Sequence, residues 1–259
     1  AVGTGVVRDG SAFTTIGSSG VVFAHSSKVT IDPKGRVHTC CCAVPGAWHV
    51  MGVTQGAGLS LKWFKDQFCQ DYVAEAKEQG VDVYDLINRD IEKIPVGSDR
   101  LLYLPYLMGE RSPHNNPDAR AMFIGMSMDT TREDMTQAVL EGVAFGLRDS
   151  LEVARSLGIK IERTKICGGG AKSPLWKKMI ANIMNLKVDV VENEEGPALG
   201  GAMLAAVGCG EYPDVETAAA KIVKVVDTVE PDEELTAKYE ERYQQFRKIY
   251  PTVKCLYEK

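Results

Sequence analysis

The chain has 259 residues, of which 44% are hydrophobic and 25% are charged, and its net charge is −5. This composition is that of an ordinary soluble globular protein, and the length suits one large domain or two small ones. The negative charge argues against an extended basic surface for nucleic acid, and no apolar run approaches the ~20 residues that span a bilayer. We therefore expect a cytoplasmic protein with neither a nucleic-acid nor a membrane partner.

The cysteines do not have the spacing of a metal site. There are 7 of them, 3 of which follow one another as Cys40, Cys41 and Cys42, and no C-x-x-C pair occurs. An odd number without ligand spacing favours reduced thiols over disulfides or zinc. We expect the triplet to supply small buried hydrophobic side chains, and we expect no metal ligands.

The amino-terminal part has the pattern of antiparallel strands. β-prone runs at 12–16 and 21–25 flank the loop Gly17-Ser18-Ser19-Gly20, which predicts a hairpin. Further strands are predicted within 35–44 and at 48–53. The loop is typical of an ordinary turn, although its hydroxyls and N–H groups would also suit an anion.

The middle of the chain predicts three helices and a long loop. Residues 59–68 indicate a buried helix, and 72–79 and 83–94 indicate amphipathic helices with charged outer faces. A short apolar strand at 101–104 leads into a loop over 105–120. Loops of this length without secondary structure of their own are often functional.

Three charged or titratable residues stand out in that loop. Two roles fit Glu110 and Arg111: contact with a substrate, or an ion pair that fixes the loop, and we favour the ion pair. His114 has no partner histidine nearby in the sequence, so a structural role, exposed or hydrogen-bonded, is favoured over metal ligation.

The second half alternates strands and helices. A strand at 121–126 precedes the longest predicted helix, 129–157, whose apolar positions recur every three or four residues and which Gly158 ends. The remaining elements are a strand at 188–191, a helix at 198–207, a strand at 223–229 and a charged helix at 233–250. Antiparallel strands followed by this alternation predict an α/β domain with a mixed sheet.

The unit that we expect to organise the fold is a strand at 164–167, three glycines at 168–170, and a helix. Ser173 is a suitable N-cap and Pro174 a suitable first helical residue. A tight turn needs one or two glycines, so three in succession suggest that a ligand, typically a nucleotide, lies against bare main chain. Neither the P-loop nor G-x-G-x-x-G fits the sequence. A turn that merely packs closely is the alternative.

Together these motifs resemble the second domain of the FGGY family of carbohydrate kinases. The family's second signature matches as Ala121-x-Phe123-x-Gly125-Met126, seven residues, and Asp134-Met135-x-x-Ala138-Val139-Leu140-Glu141. The segments that begin at Trp48, Pro105 and Gly168 look most like the xylulose kinases of the family. The resemblance covers 1–259 and implies a ribonuclease H-like domain of the actin, hexokinase and Hsp70 ATPase type, with a mixed β-sheet flanked by helices.

The resemblance implies ATP-dependent phosphorylation of a sugar hydroxyl in a cleft between two domains, D-xylulose to D-xylulose 5-phosphate being the most similar reaction, with ATP and Mg²⁺ as cofactors. The positions that carry over as nucleotide-binding are Ser18, Ser19, Gly58, Lys62, Gly169, Gly170, Ala171 and Ser173. Some relatives have at Pro174 an asparagine that hydrogen-bonds adenine. Proline cannot donate, so base recognition is either looser or passes to Ser173.

The family's catalytic aspartate lies in a Gly-Asp-x-Ala segment just upstream of the Val-Gly-Thr-Gly that opens this chain, so the resemblance implies no catalytic residue and no metal ligand here. Asp9 lies in a turn on the wrong side of that motif. Without an initiator methionine the chain is interpreted as a fragment or processed piece, inactive alone, whose partner is the absent amino-terminal, sugar-binding domain.

Several alternatives stay open. A homodimer is one. A non-catalytic, actin-like nucleotide-binding module is a second. A kinase of the same family acting on gluconate, glycerol, ribulose or fuculose is a third.

Overall fold

The computed structural model describes residues 1–193 and 196–257. Its strands are β1 Ala12–Ile16, β2 Gly20–Ser26, β3 His38–Cys41, β4 Trp48–Thr54, β5 Leu102–Leu104, β6 Met122–Ile124, β7 Arg163–Cys167, β8 Lys187–Val191 and β9 Val225–Val229. Its α-helices are α1 Gly58–Phe68, α2 Gln70–Gln79, α3 Val83–Ile91, α4 Arg132–Ser156, α5 Pro174–Met184, α6 Gly196–Gly208, α7 Val215–Ile222 and α8 Glu233–Val253. Short 3-10 helices include Val2–Thr4 and Gly169–Lys172.

Seven of these strands form one mixed sheet in the order β3-β4-β2-β1-β7-β8-β9. The central strand β1 pairs antiparallel with β2 and parallel with β7, and β8 continues the parallel part. The order β4-β2-β1-β7-β8 is that of a ribonuclease H-like core, with a meander on one side of β1 and crossover strands on the other. The predicted fold class, a mixed sheet flanked by helices, is confirmed.

Helix α4 lies across this sheet and is buried along most of its length. Its start is fixed by a capping box in which Thr131 and Asp134 each accept the other's backbone N–H. Glycines allow the close approach: a Cβ on Gly52 of β4 would lie 2.4 Å from Ser150, and one on Gly142 would lie 2.2 Å from the carbonyl oxygen of Tyr103. The helix therefore anchors both β4 and β5, the strand that leads into the long loop.

Helix α6 packs its glycines against the 3-10 helix Val2–Thr4, where a Cβ on Gly3 would lie 1.8 Å from the carbonyl oxygen of Gly196. Tight packing is thus one reason for the small residues of α6. On the outer surface of this helix, Leu204 is exposed. Helix α7, which begins after the N-cap Asp214, was not predicted from the sequence. No helix in the described part of the chain is both long and apolar enough to cross a membrane.

The prediction that the cysteine triplet is buried is wrong. Cys40 and Cys41 are exposed and Cys42 is half-buried. The reason is the position of β3 at the edge of the sheet, where β4 is its one neighbouring strand.

Candidate functional site

A cavity of about 480 Å³ lies where three glycine-containing turns meet. These turns are the β1–β2 loop with Gly17 and Ser18, the start of α1 at Gly58, and the β7–α5 connection with Gly169 and Gly170. The sheet topology explains the convergence, because β2 and β7 flank β1 on either side. The volume lies within the ~300–1,000 Å³ of small-molecule sites.

Most of the residues predicted to bind nucleotide lie at this cavity. Those that line it are Ser18, Gly58, Lys62, Gly169, Gly170 and Ser173. Ser19 lies beside Ser18 in the same loop but does not line the cavity. Ala171 lines a separate, smaller cavity of about 260 Å³ together with Val190 and Val191 of β8. The fold therefore brings together six of the eight predicted positions.

The β1–β2 loop brings Ser18 to one part of the cavity, with Ser19 beside it in the chain. Gly17 N–H donates to the carbonyl oxygen of Ser19 at 3.0 Å, which closes the loop. The N–H groups of Ser18 and Ser19 make no hydrogen bond to any described residue. Backbone donors of this kind, together with the exposed Ser18 hydroxyl, suit the oxygens of an anion.

The start of α1 is already capped by that same loop. Gly58 N–H donates to the carbonyl oxygen of Gly17 at 2.8 Å, and Ala57 N–H donates to that of Ser18 at 3.0 Å. A Cβ on Gly58 would lie 2.6 Å from the Gly17 oxygen. Gly58 thus serves to dock α1 on the loop, and its N–H is not free for a phosphate.

Lys62 supplies a cation at the rim of the cavity. Its Nζ lies 2.6 Å from Oδ2 of Asp66, one turn along α1, and its side chain is 62% exposed. Hydrogen bonds from Lys62 and Lys65 lower the pKa of Asp66. To contact a ligand, Lys62 would have to exchange this exposed ion pair, which costs little.

The three consecutive glycines have different structural roles. Gly168 has a φ of +89°, and a Cβ there would lie 2.7 Å from the carbonyl oxygen of Ile16. A Cβ on Gly170 would lie 2.5 Å from Cγ2 of Ile16 and 2.9 Å from the ring of Trp176. A Cβ on Gly169 would meet nothing within 4 Å. Close packing explains Gly168 and Gly170, and Gly169 presents bare main chain to the cavity.

Helix α5 begins as the sequence predicts. The Ser173 Oγ accepts the N–H of Trp176 at 3.2 Å, and Pro174 occupies the first helical position. The buried Trp176 donates its indole N–H to the carbonyl oxygen of Leu140 at 3.2 Å. This bond fixes the floor of the cavity to α4.

One wall of the cavity was missed by the sequence analysis. It consists of the N-cap and first two turns of α3, with Asp82, Tyr84, Asp85 and Asn88 lining the cavity. Asp82 caps the helix by accepting the N–H of Tyr84 at 2.9 Å. The sequence of α3 resembles any charged surface helix, and only its packing on α2 and α4 brings it to this place.

Glu110 joins the long loop to the segment that leads into α1. It is 3% exposed and accepts hydrogen bonds from Thr54 Oγ1 at 2.6 Å, Arg111 N–H at 2.7 Å and Gln55 N–H at 3.3 Å. Burial raises the pKa of Glu110 to about 8. The predicted ion pair with Arg111 is wrong: the Arg111 side chain is exposed, and Glu110 makes no ion pair within the described residues.

Two other titratable residues have structural roles. The Nε2 of His114 lies 3.1 Å from the hydroxyl of Tyr106, its ring stacks on Tyr250 at 3.7 Å between centroids, and burial lowers its pKa to about 4. Asp9 accepts the N–H of Ser27 at 2.5 Å and does not line the cavity. Its hydrogen bonds with Ser27 lower its pKa.

Comparison with known proteins gives a family for this chain. The model of the FGGY family of carbohydrate kinases, C-terminal domain, matches residues 12–209. The xylulose kinase of Bacillus subtilis is 36% identical over 256 residues, which cover 99% of this chain and 49% of that protein. The gluconokinase of Bacillus licheniformis is 31% identical over 251 residues, which cover 96% and 47%.

A solved structure of a relative likewise matches this whole chain with about half of its own length. The crystal structure of the xylulose kinase from Rhodospirillum rubrum superposes with a TM-score of 0.87 at 26% identity, covering 100% of this chain and 50% of the other. The chain therefore spans about half the length of the relatives it matches.

Proposed function

Because this chain belongs to the FGGY family of carbohydrate kinases, as its C-terminal domain, we propose that it is the nucleotide-binding half of a two-domain sugar kinase. The proposed reaction transfers the terminal phosphoryl group of ATP to a hydroxyl of D-xylulose. The observation that carries this proposal is the cavity around which the β1–β2 loop, the start of α1 and Gly169 converge. ATP supplies the group that is transferred.

The residues at the cavity suit a nucleotide triphosphate. Ser18 and the N–H groups of the β1–β2 loop would hold phosphate oxygens, while Lys62 and Lys172 would offset their charge. Gly169 would leave room for the adenosine. Phosphoryl transfer depends mostly on positioning and charge neutralisation, so these groups suffice for the part assigned to this half.

Magnesium and the catalytic base are assigned elsewhere. Mg²⁺ in such sites is held by phosphates and about one or two carboxylates. The carboxylates that line the cavity in the described part of the chain, Asp82 and Asp85, both belong to the α3 wall. We assign the base, the carboxylate support of the metal and most sugar contacts to the amino-terminal domain.

The identity of the sugar rests on likeness. The relative at 36% identity is a xylulose kinase, which favours D-xylulose. The gluconokinase at 31% identity shows that this half of the molecule is similar in kinases of different sugars. The proposal therefore commits to D-xylulose and includes gluconate, glycerol, ribulose and fuculose in its test.

The test compares this chain alone with the two-domain protein that contains it, measuring ADP release with each sugar. We expect D-xylulose-dependent ADP release by the two-domain protein and none by the chain alone. Robust turnover by the chain alone would contradict the assignment of the base to the other domain. ATP binding without ADP release on any sugar would instead identify a non-catalytic nucleotide-binding module.

A further inference from the structure

The acidic residues of the α3 wall indicate how a nucleotide would be oriented in the cavity, an inference that rests on the proposed function. Asp82 and Asp85 carry exposed carboxylates that line the cavity and have no cationic partner among the described residues. Like charges repel, so a triphosphate is disfavoured beside them. The β1–β2 loop offers N–H donors instead. A bound nucleotide would therefore place its phosphates at the loop and its uncharged base at α3.

The residues expected to recognise the base lack some of the hydrogen-bonding groups that recognition requires. Gly169 has no side chain, and Pro174 has no donor. The Ser173 hydroxyl already accepts the N–H of Trp176. Adenine presents a donor, its N6 amino group, beside an acceptor, N7, so the residue that recognises this edge needs one of each.

We propose that Asn88 reads the adenine of the bound nucleotide. Among the described residues that line the cavity, Asn88 has the one side-chain amide, which combines an N–H donor and a carbonyl acceptor. It is half-buried on α3, and its amide has no hydrogen-bond partner within residues 1–193 and 196–257. An asparagine amide matches adenine by accepting from the N6 amino group and donating to N7.

The match predicts discrimination against guanine. Guanine presents two acceptors, O6 and N7, at the edge where adenine presents a donor and an acceptor. An asparagine amide can satisfy one of these with its N–H groups, and its oxygen then faces the other. A good bidentate contact discriminates by roughly tenfold or more. Asn88 thus supplies the hydrogen-bond donor to the base that Pro174 cannot supply.

The experiment measures dissociation constants by titration calorimetry on the two-domain protein, with ATP, GTP and 7-deaza-ATP, in which a C–H replaces N7. Asn88→Leu keeps the size of the side chain and a good helix residue but removes both polar groups. Gln79→Ala is the matched control, because it removes an exposed amide from the neighbouring helix α2, away from the cavity.

We expect the unaltered protein and the control to bind ATP about tenfold or more tightly than GTP, and about fivefold more tightly than 7-deaza-ATP. In Asn88→Leu both ratios should fall close to one. Ratios that persist in Asn88→Leu would overturn the assignment of Asn88, as would an unaltered protein that binds all three nucleotides equally. If no nucleotide binds at all, the proposed function itself fails.

Discussion

Gly169 and Gly170 are adjacent, yet their substitution should affect different properties. Substitution of Gly169 should change nucleotide affinity, and substitution of Gly170 should change stability. A Cβ on Gly170 would meet Ile16 and Trp176 in the protein's own core, at 2.5 and 2.9 Å. A Cβ on Gly169 would project into open space at the cavity. At the scale of single residues, Gly170 serves folding, and we propose that Gly169 serves the ligand.

Gly170→Ala should therefore lower the melting temperature, and Gly169→Val should lower nucleotide affinity with little change in stability. Overpacking a core costs about 1–3 kcal/mol, which corresponds to a loss of roughly 3–10 °C for Gly170→Ala. Calorimetry and thermal unfolding measure the two quantities. Gly201→Ala, at an exposed position with free space around it, is the control. Unchanged ATP affinity in Gly169→Val would show that the ligand does not contact this glycine.

At the scale of elements, the buried side chain of Glu110 holds the long loop to the end of β4. It accepts hydrogen bonds from one hydroxyl and two backbone N–H groups. The sequence did not predict this contact, because Thr54 and Glu110 are far apart in the chain. The adjacent Arg111 was predicted to pair with Glu110 instead. The start of α5 was predictable because Ser173 and Pro174 act locally. The α3 wall was not, because its position depends on packing between helices.

Burial of Glu110 should make stability depend on pH. Burial raises its pKa from 4.5 to about 8, so between these values the folded chain retains a proton that the unfolded chain has lost. The contribution is fully present below about pH 4.5 and is lost as the pH rises through about 8. Each pKa unit is worth about 1.4 kcal/mol, so the effect is on the order of a few kcal/mol.

Glu110→Gln should flatten this dependence, and urea unfolding at several pH values between 5 and 8 measures it. Asp149→Asn is the informative control. Burial raises the pKa of Asp149 to about 6, so its contribution has the same sign but is largely lost by about pH 6. A free energy of unfolding that falls between pH 6 and 8 equally in Glu110→Gln and the unaltered chain would show that Glu110 is not the cause.

At the scale of the whole molecule, the turns that line the proposed nucleotide cavity belong to this chain, while the carboxylate support of the metal, the base and most sugar contacts are assigned to the other domain. The cavity is built from segments that span Ile16 to Trp176, and all are positioned by one sheet and by α4. The chain nevertheless covers 49% of a xylulose kinase relative. Binding of nucleotide and binding of sugar should therefore be separable.

Thermal unfolding of the 259-residue chain tests this separation. ATP or ADP at about 100 times its dissociation constant stabilises a binding-competent fold by about 2.7 kcal/mol, which for a domain of this size raises the melting temperature by roughly 5–10 °C. D-xylulose at high concentration should leave the melting temperature of this chain unchanged and raise that of the two-domain protein. Gly169→Val serves as the matched variant in which the ATP shift should shrink. Stabilisation of the chain alone by D-xylulose would place sugar contacts in this half and contradict the proposed division of roles.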